Sequence, residues 1–379
     1  MYLKKRFEQR WAYVTECDVE HIQFCLAEHL MEKKFYKAES IDEFVEEKLF
    51  PSIDAVIQEV KGAYSVVGII GKKGMFAFKD QHGIRPLCYG KKETSSGIIH
   101  AFASESSVFS LLNGYENIRE LERGEAVFVS FEGKSYQRIL RQERQAFCSF
   151  EPVYFSYPNS MLLSQYVHDI REQLGKTLAE QYAEFRERID HVTDAPKTAI
   201  PAAVSLAWAW GKPYGGLFAR GDMRSFLEPD QFSRDEEIRR KLVFIPSAFK
   251  GKRVAVIDDS IVRGSTSRRM VSLFRECGAR EVHIFSTFPQ IISPCIYGID
   301  TPDEDELIAA RYGGNSEKIA AEIGADSVNF LSIDNLVKAL GVKKEELCLA
   351  CLNKDYPSGK EYMHEYISSR VEERTRLKI

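Results

Sequence analysis

The stretch Arg253-Val-Ala-Val-Ile-Asp-Asp-Ser-Ile-Val-Arg-Gly-Ser-Thr-Ser267 constrains the fold more than any other part of the chain. Four apolar residues, Val254 to Ile257, suit a strand buried in the middle of a sheet. Two acids, Asp258 and Asp259, follow at its carboxyl end, the edge where open α/β sheets bind ligands. A turn rich in Gly, Ser and Thr comes next, and then a helix with Met270, Val271, Phe274 and Cys277 as its apolar stripe. The backbone N–H groups at such a helix start are unpaired and attract anions. Gly264 lets the backbone approach a phosphate closely, and Ser265, Thr266 and Ser267 add hydroxyl donors. An ordinary strand followed by a helix cap explains the Ser/Thr cluster but not the adjacent acids.

The surrounding sequence fits a sheet of this kind. From about Cys148 strands and helices alternate: a helix over 164–188, a short strand and loop in IDHVTDAP, and a helix AIPAAVSLAWAW ended by Gly211. The strand RVAVID, the helix SRRMVSLFRECG and the strand EVHIFSTF follow, and the last sixty residues read as short helices. Alternation argues for a parallel sheet with right-handed crossovers. The first half differs. Residues 1–60 read as helical, and β-rich sequence runs from Lys61 to about Gln145. AYSVVGII and MFAFKD flank a turn at Gly71–Gly74, and AVFVSF and YQRIL flank one at Glu132–Lys134, which predicts antiparallel hairpins in an α+β layer.

Composition sets outer limits. A chain of 379 residues suits two or three domains; 44% hydrophobic and 28% charged residues are ordinary for a globular protein. A net charge of −4 argues against nucleic acid as a partner of the whole chain. The first twenty residues lack the apolar core of a signal peptide, and the longest nearly apolar run, Ala199 to Trp210, is too short to span a membrane. The expected location is the cytoplasm.

In that setting the pair Cys348-Leu-Ala-Cys351 suggests a metal half-site, a redox pair or two buried thiols. The neighbouring sequence is not a strand–CxxC–helix, which speaks against redox catalysis. A metal needs about four ligands, and spacing alone does not supply the others. Cys17, Cys25, Cys88 and Cys277 read as core or surface residues, and the eight histidines contain no metal-ligand pair at helical spacing.

The segment VAVIDDSIVRGSTSRRM resembles the motif by which type I phosphoribosyltransferases bind 5-phosphoribosyl-1-pyrophosphate (PRPP). With KGAYSVVGII, FKDQHGIRPLCYGK, AFASESS, FCSFEPVYFSYPNS, SPCIYGIDTPDEDELIA, EIGADSVNFLSIDNLVKAL and CLACLNKDYP, nearly the whole chain resembles the glutamine amidophosphoribosyltransferase family. The resemblance implies a type I phosphoribosyltransferase fold over 148–379, preceded over 1–147 by an incomplete α+β, Ntn-hydrolase-like glutaminase domain. It implies that Asp258 and Asp259 hold the ribose hydroxyls and Mg²⁺. Ser260, Arg263, Gly264, Ser265 and Thr266 would hold the 5-phosphate, and Lys241 would approach the pyrophosphate. It also nominates Cys148, Cys295, Cys348 and Cys351 as ligands of a [4Fe–4S] cluster, purine nucleotides as inhibitors and a homo-oligomer.

Departures from the family pattern carry expectations of their own. The chain starts Met1-Tyr2, where the family's glutaminase uses an N-terminal cysteine, so no glutamine hydrolysis is expected of this chain alone. Asp18 matches a family residue that binds the glutamine amine, but reads here as a helix cap. The family's Pro-Asp-Ser reads Pro196-Lys197-Thr198, and its flexible loop reads Ala219-Arg-Gly-Asp-Met-Arg-Ser-Phe226, in which Arg220 and Arg224 still offer positive charge. Two classes of function follow. One is a PRPP-dependent transferase forming 5-phosphoribosylamine, the first step of purine nucleotide synthesis, with ammonia that is free or supplied by a partner protein. The other is a non-catalytic relative that binds PRPP or nucleotides, or a shortened product of a longer enzyme.

Overall fold

The computed structural model describes residues 17, 19–111, 114–219, 242–299, 301, 303–359 and 362–363. The expectations for Asp18, Arg220, Arg224 and Lys241 lie outside the described residues.

The first half is an α+β layer. Helices α1 (Val19–Glu32) and α2 (Phe50–Glu59) cover one face of an antiparallel sheet. Strands β1 (Ser65–Ile70) and β2 (Gly74–Lys79) form the hairpin expected at Gly71–Gly74, in register from Ser65↔Lys79 to Ile70↔Gly74. A second sheet, which the sequence reading passed over, comprises β3 (Cys88–Thr94), β4 (Gly97–Ala103) and β5 (Glu116–Glu120), in the order β4-β3-β5. Strands β6 (Glu125–Ser130) and β7 (Ser135–Ile139) form the other expected hairpin and complete the first sheet, β1-β2-β6-β7. Phe44, Phe50, Ile53 and Val56 from the helical side pack on Phe76, Phe78 and Phe128 of this sheet.

A short strand β8 (Phe147–Cys148) leads into the second half. There α3 (Val167–Gln181), β9 (His191–Asp194), α4 (Ile200–Trp210), β10 (Arg253–Asp258), α5 (Ser265–Glu276) and β11 (Glu281–Ser286) follow in turn. Then come α6 (Ser316–Ile323), β12 (Ser327–Phe330), α7 (Ile333–Leu340) and a two-residue strand β13 (Leu347–Cys348). Strands β9, β10, β11 and β12 lie in that order and all pair parallel. The helix expected over 164–188 is shorter: Leu163 and Ser164 have positive φ, and Tyr182 leaves helical geometry at φ −120°. α4 carries Pro201 in its first turn, where the missing N–H costs nothing, and stops at left-handed Gly211, as its sequence predicts.

The strand pleat sorts the core into two layers. Ala255 and Ile257 of β10 face Ile170, Leu174 and Leu178 of α3, Ala203 and Leu206 of α4 and Leu336 of α7. Val254 and Val256 face the other way, onto Met270, Val271 and Phe274 of α5 and Ile319 and Ile323 of α6. Helices on both faces leave the strand ends as the sheet's accessible rim.

Candidate functional site

A cavity of about 620 Å³ opens at the carboxyl ends of β9 and β10. Asp258 to Ser267 line it along one side. Ala195, Pro196 and the aromatic residues Phe150, Tyr154 and Phe155 also contribute to the wall. The peptide between Pro196 and Lys197 is cis, and the Lys197 side chain is exposed.

The acid pair is built into the sheet. Asp258 is the last residue of β10 and Asp259 the first beyond it; both are buried, at 9% and 8% exposure. The Thr287 N–H donates to the Asp258 carbonyl at 2.9 Å, and its hydroxyl to the Asp259 carbonyl at 3.2 Å, so β11 fixes the backbone of both. The Asp259 N–H donates to Asp258 Oδ1 at 2.9 Å, and the Ser260 hydroxyl to Asp259 Oδ1 at 2.7 Å. Burial, then the neighbouring Asp259 charge, pushes the Asp258 carboxyl well above the ordinary carboxylate range. Burial likewise raises Asp259, opposed by the Ser260 hydroxyl and the Arg171 charge. Two buried carboxyls that resist joint ionisation form a site made for a cation or for hydroxyl donors.

Gly264 caps α5 with φ 77°. The loop needs glycine there for this left-handed conformation, and a Cβ would also press on the Ile308 side chain, 2.5 Å from Cδ1. No side chain caps the α5 N-terminus, which leaves the first-turn N–H groups facing the cavity rim. The structure thus gathers Asp258, Asp259, Ser260, Gly264, Ser265 and Thr266 around one cavity. Arg263 also lines it, but its guanidinium donates to Glu306 at 2.9 Å in an exposed pair.

Two polar groups escaped the sequence reading. Asp194 ends β9, buried, and accepts a 2.6 Å hydrogen bond from the Tyr214 hydroxyl; its charge contributes to raising Asp258. Register could have found it, because Asp194 pairs beside Ile257 at the same end of the sheet. Arg171, 4% exposed on α3, donates to the carbonyls of Pro152 and Ser156 at 3.0 and 2.8 Å and supplies the positive charge near Asp259. No local sequence pattern marks it.

Behind the cavity lie the four nominated cysteines. Cys148 and Cys348 are direct partners in the parallel pairing of β8 with β13. The Cys351 carbonyl accepts from the N–H groups of Ile292 and Ser293, which brings the segment around Cys295 alongside. Cys295 and Cys351 both reach the cavity wall. Cys148, Cys348 and Cys351 are free thiols. Burial and then nearby charge, which includes that of the other cysteines, raises the Cys148 thiol to about 12 and drives Cys348 and Cys351 upward too. Among the described residues no three of these sulfurs lie within 4.8 Å of one another. One tetrahedral ion needs sulfurs about 3.8 Å apart, whereas a four-iron cube holds them wider. Four thiolates are a donor set that iron–sulfur clusters and zinc accept.

A parallel sheet covered on both faces, with an acid pair and a glycine-turned helix start at its carboxyl rim, defines the type I phosphoribosyltransferase class of fold. No family model matches the chain. The amidophosphoribosyltransferase of Bacillus subtilis is 40% identical over 305 residues, which is 79% of this chain and 62% of the relative. That of Methanothermobacter thermautotrophicus is 38% identical over 310 residues, 81% of this chain and 63% of the relative. Among solved structures, the glutamine PRPP amidotransferase from B. subtilis complexed with ADP and GMP superposes with a TM-score of 0.77 at 34% identity, covering 94% of this chain and 74% of that one. A structure of the allosteric regulatory enzyme of purine biosynthesis gives 0.78 at 35% identity, covering 94% and 72%. The chain belongs to the amidophosphoribosyltransferase family. It spans less than two thirds of the length of the curated relatives above.

Proposed function

We propose that this chain transfers the 5-phosphoribosyl group of PRPP to ammonia, forming 5-phosphoribosylamine and releasing pyrophosphate, the first step of purine nucleotide synthesis. The observation that carries the reading is the buried Asp258–Asp259 pair beside the Gly264 helix start, in a cavity of about 620 Å³. The 5-phosphate sits against the first-turn N–H groups of α5 and the hydroxyls of Ser260, Ser265 and Thr266. Asp258 and Asp259 accept the ribose 2′- and 3′-hydroxyls. As the bond from the anomeric carbon to pyrophosphate breaks, the negative charge that the pair carries stabilises the positive charge developing on the sugar. Nitrogen bonds to the anomeric carbon and gives up a proton. Mg²⁺ held near the acid pair would neutralise charge on the departing pyrophosphate. Lys241 is assigned to the pyrophosphate. For Arg263 to join the phosphate it must leave Glu306, at small cost for an exposed pair.

Cys148, Cys295, Cys348 and Cys351 hold a [4Fe–4S] cluster that staples distant segments and takes no part in the transfer. The chain divides at 147/148 into a glutaminase-like part and a transferase part. Purine nucleotides inhibit, a reading supported by the ADP and GMP bound to the B. subtilis relative. The protein works as a homo-oligomer in the cytoplasm, without membrane or nucleic acid. No helix among the described residues is long and apolar enough to cross a membrane.

The test is pyrophosphate release from PRPP with ammonium chloride and Mg²⁺. The rate should follow free NH₃ and therefore rise as pH approaches the ammonium pKa. Asp258→Asn combined with Asp259→Asn should abolish it. No ammonia-dependent release, with PRPP still bound in calorimetry, would leave a binding protein and sink the transferase reading.

A further inference from the structure

Far from the cavity, α1 and α2 bring three potential ligands together. Cys25 and His29 lie four residues apart on α1, so helical geometry sets them on one face. Glu59 ends α2, which packs against that face through Ile53, Val56 and Ile57. Glu59 Oε2 stands 3.7 Å from Cys25 Sγ, and Glu59 Oε1 2.9 Å from His29 Nε2. One ligand atom from each of the three residues falls within 4.8 Å of the other two. In the sequence Cys25 reads as a core or surface residue, and no histidine pair at helical spacing marks the trio.

We propose that Cys25, His29 and Glu59 bind one zinc ion that clamps α1 to α2, with water as fourth ligand. The donor set is a thiolate, an imidazole and a carboxylate, which zinc accepts and hard cations do not. Tetrahedral zinc sets sulfur and oxygen about 3.6 Å apart, close to the 3.7 Å between Cys25 Sγ and Glu59 Oε2, the oxygen that would ligate. His29 Nε2 meets the other carboxylate oxygen, Oε1, at 2.9 Å, and exchanges that hydrogen bond for the ion by a small rotation of a side chain on a helix end. The other ring nitrogen, His29 Nδ1, lies 3.4 Å from Glu32 Oε2. A carboxylate behind the free ring nitrogen is the arrangement that orients metal-bound histidines. Cys25 is fully buried while His29 and Glu59 are 13% and 31% exposed, so the thiolate sits inside and ions enter from the rim.

Full-length protein, stripped of zinc by a mild chelator and retitrated, tests this. Wild type should take up one tightly held zinc and melt at a higher temperature with it. With cobalt in its place, a thiolate charge-transfer band should appear. Cys25→Ser should lose that band, and Glu59→Gln, at a partly exposed position that tolerates the change, should weaken zinc at least about tenfold. Cys351→Ser, which dismantles the other cysteine set, should keep this zinc. Wild type that binds no zinc overturns the proposal. So does zinc that survives both Cys25→Ser and Glu59→Gln, or that disappears only in Cys351→Ser. Should Cys25→Ser fail to fold, Glu59→Gln alone decides.

Discussion

Asp258 is held in a state that its own environment opposes. Burial and the Asp259 charge both favour its protonated form. The sign for stability follows from linkage. A carboxyl whose folded pKa lies above the unfolded value near 3.9 stabilises the fold fully below that value. The contribution is lost as pH rises through the raised folded pKa. At neutral pH this carboxyl therefore carries a stability cost in the ligand-free protein. Asp258→Asn should relieve it, since the amide oxygen can still accept from the Asp259 N–H. The variant is expected to be about 1–2 kcal/mol more stable than wild type at pH 7, with the gain shrinking toward pH 4. Thermal melts across that range check it, and calorimetry should show PRPP binding lost in the same variant. An Asp258→Asn protein less stable at every pH would mean that the carboxyl is structural.

Element packing makes a separate demand, and α3 against α4 states it plainly. Gly175 lets the two helices touch: a Cβ there would come within 2.1 Å of the Ala202 carbonyl oxygen and 2.4 Å of Ser205 Oγ. The backbone oxygen cannot swing aside, so Gly175→Ala should destabilise by about 1–3 kcal/mol despite alanine's better helix propensity. Chemical denaturation measures it; a neutral or stabilising alanine would show that the helices sit farther apart. Nothing in the sequence flags Gly175, because close approach is a property of two helices. Where one element carries its own signal, the sequence reading holds: the β1–β2 and β6–β7 hairpins, the Gly211 stop of α4, and the strand–acid–loop–helix of β10 and α5. It missed β3 to β5 because their pairing is polar, Lys91-Lys92-Glu93-Thr94 against Gly97-Ile-Ile-His100, with most of β3 and β4 half-exposed or exposed. It missed β12, four residues lying among short helices. Asp194 and Arg171 join the acid pair only through sheet register and a helix crossing, which no local pattern encodes.

At the scale of the whole molecule, the cysteines tie the junction of the two halves to the chain's last described segments. Cys148 follows directly on the first half, Cys295 lies beyond β11, and Cys348 and Cys351 come some two hundred residues after Cys148. Protein contacts already join their segments: β8 pairs with β13, the Ser149 hydroxyl donates to the Cys348 carbonyl at 3.0 Å, two N–H groups donate to the Cys351 carbonyl, and the Tyr356 hydroxyl donates to the Pro294 carbonyl at 2.6 Å. A cluster held by all four would close a loop of some two hundred residues. Closing so long a loop restricts the unfolded chain, and metal-binding energy adds directly to folding energy. Anaerobically purified protein should therefore be brown and contain four irons with matching sulfide. Cys351→Ser should bleach it and lower its melting temperature by several degrees, as loss of a few kcal/mol would. Because Cys295 and Cys351 also line the cavity with Asp258 and Asp259, the same variant should weaken PRPP binding while leaving the acid pair in place. Iron analysis, melting curves and PRPP calorimetry on wild type and Cys351→Ser measure the three effects together. A colourless, iron-free wild type that melts at the same temperature as the variant would reduce the four cysteines to buried thiols.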